Sequence, residues 1–358
     1  MTSGAGGRAR ARDLGLAPGT LPAGPANAIT DVSGIQVGHA TVIEGGDIRT
    51  GVTAIIHENL FRAGTMPAGL AVFNGFGKIV GTTQITELGT IETPVLLTST
   101  LSVFRVADAL LSYLHERPEN AAVASLNPVV AETNDGFLSD IWARPITEEH
   151  VRAALDTAAG GPVAEGCVGA GTGTGALQYK AGIGTSSRLC ALSTGQVVLG
   201  ALVQANFSGV LTVLGATCPP PGPPVAPAEP GGNSCVIVLA TDARLDSREL
   251  TRLANRSFAG MARTGSDFSG HSGDYALAVS TAASTASGGT APAGDGPVPG
   301  KDLDLLFLAA IEATEEAILN SLFMAVTTTG FGGHTRQAVP LDYVMARVSG
   351  RSAGRNGS

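Results

Sequence analysis

Segment 219–242, PPPGPPVAPAEPGGNSCVIVLATD, sets the strongest limit on how this chain can fold. Proline fixes φ and has no amide donor, so the proline-rich part joins neither a helix nor the interior of a sheet. Directly after it, residues 235–240 (CVIVLA) form a short, wholly apolar run, the pattern of a strand buried on both faces. An exposed tether thus meets a central strand at one point, and the residue at that point is Ser234. The chain must build a core deep enough to cover both faces of that strand.

Its length of 358 residues permits one large domain or two average ones. Only 15% of residues are charged, against roughly 25% in a typical domain, and 49 glycines with 44% hydrophobic residues indicate close backbone contacts and many turns. A net charge of −8 opposes a phosphate-binding surface, and no Lys/Arg cluster with interleaved aromatics offsets it, so nucleic acid is excluded as an expected partner. The first dozen residues, MTSGAGGRARAR, are basic but lead into no apolar core, and they read as a loose tail rather than a secretory signal. The apolar stretch 305–311 is stopped by Glu312, short of the ~20 residues a membrane span needs. Cys167, Cys190, Cys218 and Cys235 show no C-x-x-C spacing, so the expectation is a cytoplasmic protein with reduced thiols, no zinc site and no cofactor.

Residues 27–39 and 51–56 alternate β-branched and turn residues and predict strands. Glycines crowd 65–90 around Phe73-Asn74-Gly75-Phe76-Gly77, marking either turns in a glycine-rich sheet or close approach of backbone or ligand. Helical spacing of Val103, Val106, Leu110, Leu111 and Leu114 predicts a helix over 102–116, and a shorter one follows over 148–158. Between them, 129–136 (VVAETNDG) reads as a strand ending in a carboxylate and a turn. The alternating glycines of 169–175 fit neither G-x-x-x-x-G-K-[ST] nor G-x-G-x-x-G, so close backbone packing is favoured over phosphate binding. Residues 197–206 form a strand delivering Asn206 at its end. Asp246 and Glu249 fit a capping box, with Leu250, Leu253, Ala254, Phe258 and Met261 lining the helix that follows. Residues 275–281 read as a strand and 282–300 as a surface loop. A long helix is predicted over 302–323, with Leu305, Leu308, Ile311, Ile318 and Leu322 inward. Strands and helices come in blocks, which predicts packed sheets covered by helices rather than a doubly wound fold.

A serine hydroxyl needs a base beside it to act as a nucleophile. None of the six histidines lies in a serine-hydrolase signature; His271 is near Ser272 but in a Gly/Ser loop. An N-terminal serine has another base, its own α-amine, with an unperturbed pKa of about 7.7 to 8.0. Cleavage at Asn233–Ser234 would create that amine. On the residues alone two readings stay open: a polar residue opening a buried strand, or a self-cleaving nucleophile. Cys235 is a rival nucleophile by chemistry, but as the next residue of the strand it points to the opposite face.

Taken together, AITDVSGIQVGH at 28–39, ETNDG at 132–136, GAGTG at 169–173, GTSSR at 184–188, VQAN at 203–206, GNS at 232–234, ATD at 240–242, SGD at 272–274 and EAILNSL at 316–322 give the chain its likeness. It resembles the L-aminopeptidase/D-esterase and β-aminopeptidase family of self-processing N-terminal-nucleophile hydrolases. The resemblance implies an α/β fold, an αββα four-layer sandwich of two mixed sheets between helical layers. It implies one domain over 21–345 between flexible tails at 1–20 and 346–358, cut into a large chain 1–233 and a small chain 234–358. It implies Ser234 as nucleophile, Asn206 on the oxyanion, Glu132 holding the substrate amine, and Ser272 with Asp274 orienting the Ser234 amine and hydroxyl. Asp274 is one methylene shorter than the glutamate of some members, and Asn134 stands where some carry an aromatic residue, so Asn134 is expected to touch substrate. A small peptide or amino-acid amide as substrate and a homo-oligomer, a tetramer of processed protomers, follow from the same likeness. The alternatives are an acyltransferase of the ornithine acetyltransferase type, which normally uses threonine, and a non-catalytic ligand-binding sandwich.

Overall fold

A computed structural model describes residues 7–62, 64–222, 233–282 and 298–355. The tether beyond Gly222 and most of the expected surface loop of 282–300 lie outside the described residues. One mixed sheet contains β1 (Gln36–Glu44), β2 (Ile48–Ile56), β4 (Ile79–Val80), β6 (Val95–Ser99) and β7 (Val129–Thr133), in the order β1-β2-β6-β7-β4. The other contains β3 (Met66–Gly75), β5 (Thr90–Ile91), β8 (Ile183–Leu192), β9 (Gly195–Asn206), β10 (Asn233–Thr241) and β11 (Ser272–Ser280), in the order β8-β9-β10-β11-β3-β5. Among the described residues, the β6–β7 and β10–β11 neighbours alone run parallel.

Three apolar layers hold this together. Val236, Val238 and Ala240 of β10 meet Val95, Leu97, Val129 and Ala131 between the sheets. After the short α1 (Thr82–Leu88), α2 (Val103–His115) and α3 (Glu148–Asp156) cover Val52, Ala54 and Leu96 on the outer face of the first sheet. On the outer face of the second, α4 (Ser247–Arg263) and α5 (Gly300–Phe323) cover Cys235, Ile237 and Leu239. The result is the αββα sandwich, and the strand predicted from its apolar run is buried on both faces at its centre.

The helix ends follow their residues. Asp246 caps α4 by accepting from the Glu249 amide at 2.7 Å, while Glu249 Oε2 accepts from the Asp246 amide at 3.2 Å. In α5 the inward face differs from the expected one: Leu305, Leu308 and Ile311 are only partly buried, and Leu303, Leu306, Glu312 and Glu316 point in. The reason is a buried cation. Arg188 of β8 is fully enclosed and pairs with Glu312 at 3.3 Å and Glu316 at 2.8 Å. Glu316 also receives Arg12 at 2.7 Å and the Asn27 amide at 2.7 Å. Burial alone would raise the Glu316 carboxyl; these donors outweigh it and hold it below its ordinary value.

Both expected tails are corrected where they are described. Arg8 donates to the carbonyls of Val339 and Leu322, Ala11 is buried, and Arg10 reaches Glu165 at 2.7 Å and the carbonyls of Asn27 and Thr185 at 2.7 and 2.8 Å. At the other end α6 (Leu341–Arg355) is helical, and Arg347 donates to the Thr217 carbonyl at 2.9 Å. The arginines that read as a loose basic end are anchors whose acceptors lie far away in sequence.

Burial lifts the Glu165 carboxyl to about 7 despite Arg10. The folded chain therefore holds a proton there that the unfolded chain releases from about pH 4.5, and stability falls as pH rises through that window. Arg10→Ala removes the only charge compensating Glu165 among the described residues. It is expected to cost about 3 kcal/mol at pH 8 and clearly less at pH 5, where Glu165 is already protonated. Urea unfolding at the two pH values measures this; a loose tail would leave both midpoints unchanged.

Candidate active site

The pleat of β10 sorts its first residues. Cys235 lies in the apolar layer under the helices, fully buried, and burial pushes its thiol well above the usual value. Ser234 takes the opposite face, the one between the sheets, and is 1% exposed. Its hydroxyl donates to the carbonyl oxygen of Asn233, the group that a self-cleaving serine would attack. No histidine is among its hydrogen-bond partners in the described residues. His39 bonds Thr53 and is pushed down to about 4 by burial, and exposed His271 stacks edge-on against Phe76.

On either side of Ser234 stand the ends of neighbouring strands. Asn206 is its register partner across β9, and Gly273 its partner across β11. Asn206 is fixed at both ends of its amide: Oδ1 accepts from Gly175 N–H at 3.0 Å and Nδ2 donates to the Asn134 carbonyl at 2.8 Å. Asn134 therefore reaches the site through its backbone. Its side-chain Oδ1 turns back to accept from the Gly136 amide at 2.9 Å.

Ser272 donates to Asp274 Oδ1 at 2.7 Å, and Asn74 Nδ2 donates to Oδ2 at 2.8 Å. Burial raises the Asp274 carboxyl, and these two hydrogen bonds restrain the rise. The shorter acid thus acts on Ser272, and through it on its surroundings. Asn74 was legible only as part of a glycine-rich stretch. The structure brings that stretch to the site: Gly75 pairs with Gly273, and the Phe76 amide donates to the Ser272 carbonyl at 3.0 Å.

Glu132, at the end of β7, is 1% exposed. Its Oε1 accepts from the Lys78 amide at 2.9 Å, while Oε2 has no hydrogen-bond partner among the described residues. Burial raises its carboxyl, opposed by the nearby Lys78 charge, whose ammonium is itself held by Thr100 at 2.7 Å. A Cβ on Gly77 would lie 2.9 Å from both Glu132 Oε1 and the Tyr275 hydroxyl, so a larger residue there would have to displace these two side chains. The neighbouring Asp135 is buried too, accepts from Ser99 at 2.7 Å and is lifted by burial to about 6. The glycines of 169–175 are packing positions as expected: a Cβ on Gly171 would lie 2.3 Å from the Ile183 nitrogen. Among the described residues, no group of three or more His, Cys, Asp or Glu is arranged to hold a metal, and no helix is long and apolar enough to cross a membrane.

The model of peptidase family S58 matches residues 27–336 of this chain. The chain belongs to peptidase family S58. It is 40% identical to the beta-peptidyl aminopeptidase BapA of Sphingosinicella xenopeptidilytica, over 95% of this chain and 90% of that protein. Its fold is similar to the PH0078 protein of Pyrococcus horikoshii OT3, with TM-score 0.88 and 39% identity over 96% of this chain and 99% of that one. It is also similar to the L-aminopeptidase D-Ala-esterase/amidase of Ochrobactrum anthropi, described as a variant of the Ntn hydrolase fold, with TM-score 0.84 and 37% identity over 97% and 99% of the two chains. This member of family S58 is a serine aminopeptidase on an N-terminal-nucleophile hydrolase sandwich.

Because the S58 fold hides the residue beside Ser234 under its helices, a thiol reagent is expected to label partly exposed Cys167 in the native protein and to spare Cys190, Cys218 and Cys235 until urea is added. Mass mapping of the labelled peptides reads the order. Native labelling of Cys235 would refute the assignment of faces on β10.

Proposed function

We propose that the chain cuts itself between Asn233 and Ser234 and that the Ser234 so freed releases a small N-terminal amino acid, α or β, from short peptides, amides or esters. In the first step Ser234 Oγ attacks the Asn233 carbonyl carbon. The C–N bond to Ser234 breaks, its nitrogen takes the hydroxyl proton, and water opens the resulting ester to leave an Asn233 carboxylate and a free Ser234 amine. In turnover that amine accepts the Oγ proton, Oγ attacks the substrate carbonyl, and Asn206 Nδ2 donates to the oxyanion, a role worth about 2.7 to 4 kcal/mol where such a donor has been removed. The leaving amine takes the proton, and water then hydrolyses the acyl-serine. Ser272 and Asp274 position the amine.

The observation that carries this reading is Glu132: a buried carboxylate with one oxygen unpartnered among the described residues, on the strand of the first sheet that packs against the strand of buried Ser234 in the second. A buried carboxylate without a full set of donors is costly unless something fills it, and a substrate ammonium is the complementary group. The relatives' names, beta-peptidyl aminopeptidase and L-aminopeptidase D-Ala-esterase/amidase, support the same class. A homotetramer of processed protomers in the cytoplasm completes the proposal; the free thiols suit a reducing compartment, and light scattering reads the assembly.

Ser234→Ala is expected to leave an intact 35.9 kDa chain and no hydrolysis, whereas the parent yields a fragment beginning at Ser234, read by mass spectrometry. Cleavage of the Ser234→Ala chain would overturn the mechanism. Glu132→Ala should still be cut but lose about tenfold to a hundredfold in kcat/KM on β-alanyl and alanyl p-nitroanilides, and unchanged turnover would remove the amine role.

Two titrations shape the acid side of the pH profile. Activity should rise as the Ser234 amine loses its proton near its ordinary range, about 7.7 to 8.0. It should fall toward acid as Glu132 is protonated, at a pH above the ordinary carboxylate range because burial raises that group. A profile whose acid limb is unaltered in Glu132→Gln would contradict the second assignment.

A further inference from the structure

The lateral order of groups around Ser234 leaves one side unassigned. Toward β11, Ser234 is followed by Gly273, then Gly77: a Cβ on Gly273 would lie 3.0 Å from Gly77 Cα, and one on Gly77 would lie 2.9 Å from Glu132 Oε1. Toward β9 it is followed by Asn206, then Gly175, whose amide donates to Asn206. Against Gly175 lies Arg336: a Cβ there would stand 3.3 Å from its Nε and 3.4 Å from its Cδ. Adjacent strands are about 4.8 Å apart, so the carboxylate of Glu132 and the guanidinium of Arg336 flank the nucleophile on opposite sides. The segment after β7 spans the same order, with Glu132 on the Gly77 side, the Asn134 carbonyl on Asn206, and the Phe137 ring 4.2 Å below the Arg336 guanidinium.

Arg336 is partly buried, and burial lowers its pKa with no carboxylate opposing that. Among the described residues its guanidinium makes no ion pair; its ring contact is with Phe137, on which His334 also stacks at 4.6 Å. His334 Nδ1 lies 3.0 Å from the Phe137 carbonyl oxygen, which holds that ring in place. A planar guanidinium pre-set on an aromatic face, stripped of part of its water and given no acid, is suited to a carboxylate in bidentate geometry.

We propose that Arg336 binds the α-carboxylate of the leaving amino acid, so that the enzyme favours dipeptides with a free C-terminus over the matching amides. The inference rests on the hydrolase reading above and adds a specificity residue on the side opposite the amine. No bond is made or broken at Arg336, and its effect falls on binding.

The test compares β-alanyl-alanine and alanyl-alanine with their C-terminal amides, using the full processed enzyme. The free acids are expected to exceed the amides by about tenfold or more in kcat/KM, mainly through KM, as suits a hydrogen bond to a charged group. Arg336→Gln should collapse that ratio by raising KM for the acids, and Arg336→Lys should restore part of it, which a purely structural role would not do. Acid and amide turned over within about threefold by the parent, or an Arg336→Gln loss shared equally by both, would overturn the carboxylate subsite while leaving the hydrolase standing. Failure of the parent to hydrolyse any of the four would overturn both.

Discussion

The structure turns on the pleat of one strand. Because β10 is covered on both faces, every residue in it must belong to one apolar layer or the other, and a shift of one place would exchange the two sets. Val236, Val238 and Ala240 fix the inner set, and they carry Ser234 with them onto the face between the sheets. The flanking strands then supply Asn206 and Gly273 by register alone. No loop has to be held in place to assemble these three, and positions set by a sheet ladder are more rigid than positions set by loops.

Burial has opposite outcomes at two of the glutamates, and the contrast separates support from chemistry. Glu316 is enclosed with Arg188, Arg12 and Asn27 around it, and its carboxyl is held low. Glu132 is enclosed more deeply than the Lys78 charge and amide and the Thr100 hydroxyl can offset, and its carboxyl is raised. The first has its hydrogen-bonding capacity filled by the fold. The second retains an oxygen that the described residues leave unfilled. The same reasoning distinguishes Arg188, doubly paired, from Arg336, which rests on an aromatic ring.

Much of this was legible in the sequence because it depends on local pattern. The apolar run of β10, the delivery of Asn206 at the end of β9, the capping box of α4 and the strand ending at Glu132 are each short-range signals, and each holds. The misread chain ends and the misread face of α5 share one physical origin, the pairing of residues distant along the chain. Arg8, Arg10 and Arg12 look like a solvated basic end until Glu165 and Glu316 are brought to them. Glu312 and Glu316 break the apolar periodicity of α5 for the same reason. The Asn134 side chain also follows a local preference, its Oδ1 accepting from the Gly136 amide of its own turn. Arg336 carried no signal, since the ring that positions it is some two hundred residues earlier. The motifs GTSSR and EAILNSL, which helped carry the family likeness, belong largely to the buried clamp of β8 and α5 rather than to the site.

The strand order has a topological consequence. Reading across the second sheet, β8 and β9 precede Ser234 in the chain, β10 and β11 follow it, and β3 and β5 precede it again. The C-terminal portion is a wedge between two parts of the N-terminal portion. Neither portion alone can close the sheet: one would expose the bare edges of β9 and β3, the other both edges of an orphan pair. Covalent continuity at 233–234 is therefore needed to bring the wedge into place but not to keep it there. A chain severed at that bond after folding would stay interlocked by two full ladders of backbone hydrogen bonds, while the same two pieces made separately would have to find each other through exposed, self-adhesive strands. For the scission proposed above, the sheet order sets the timing: assembly first and the cut second.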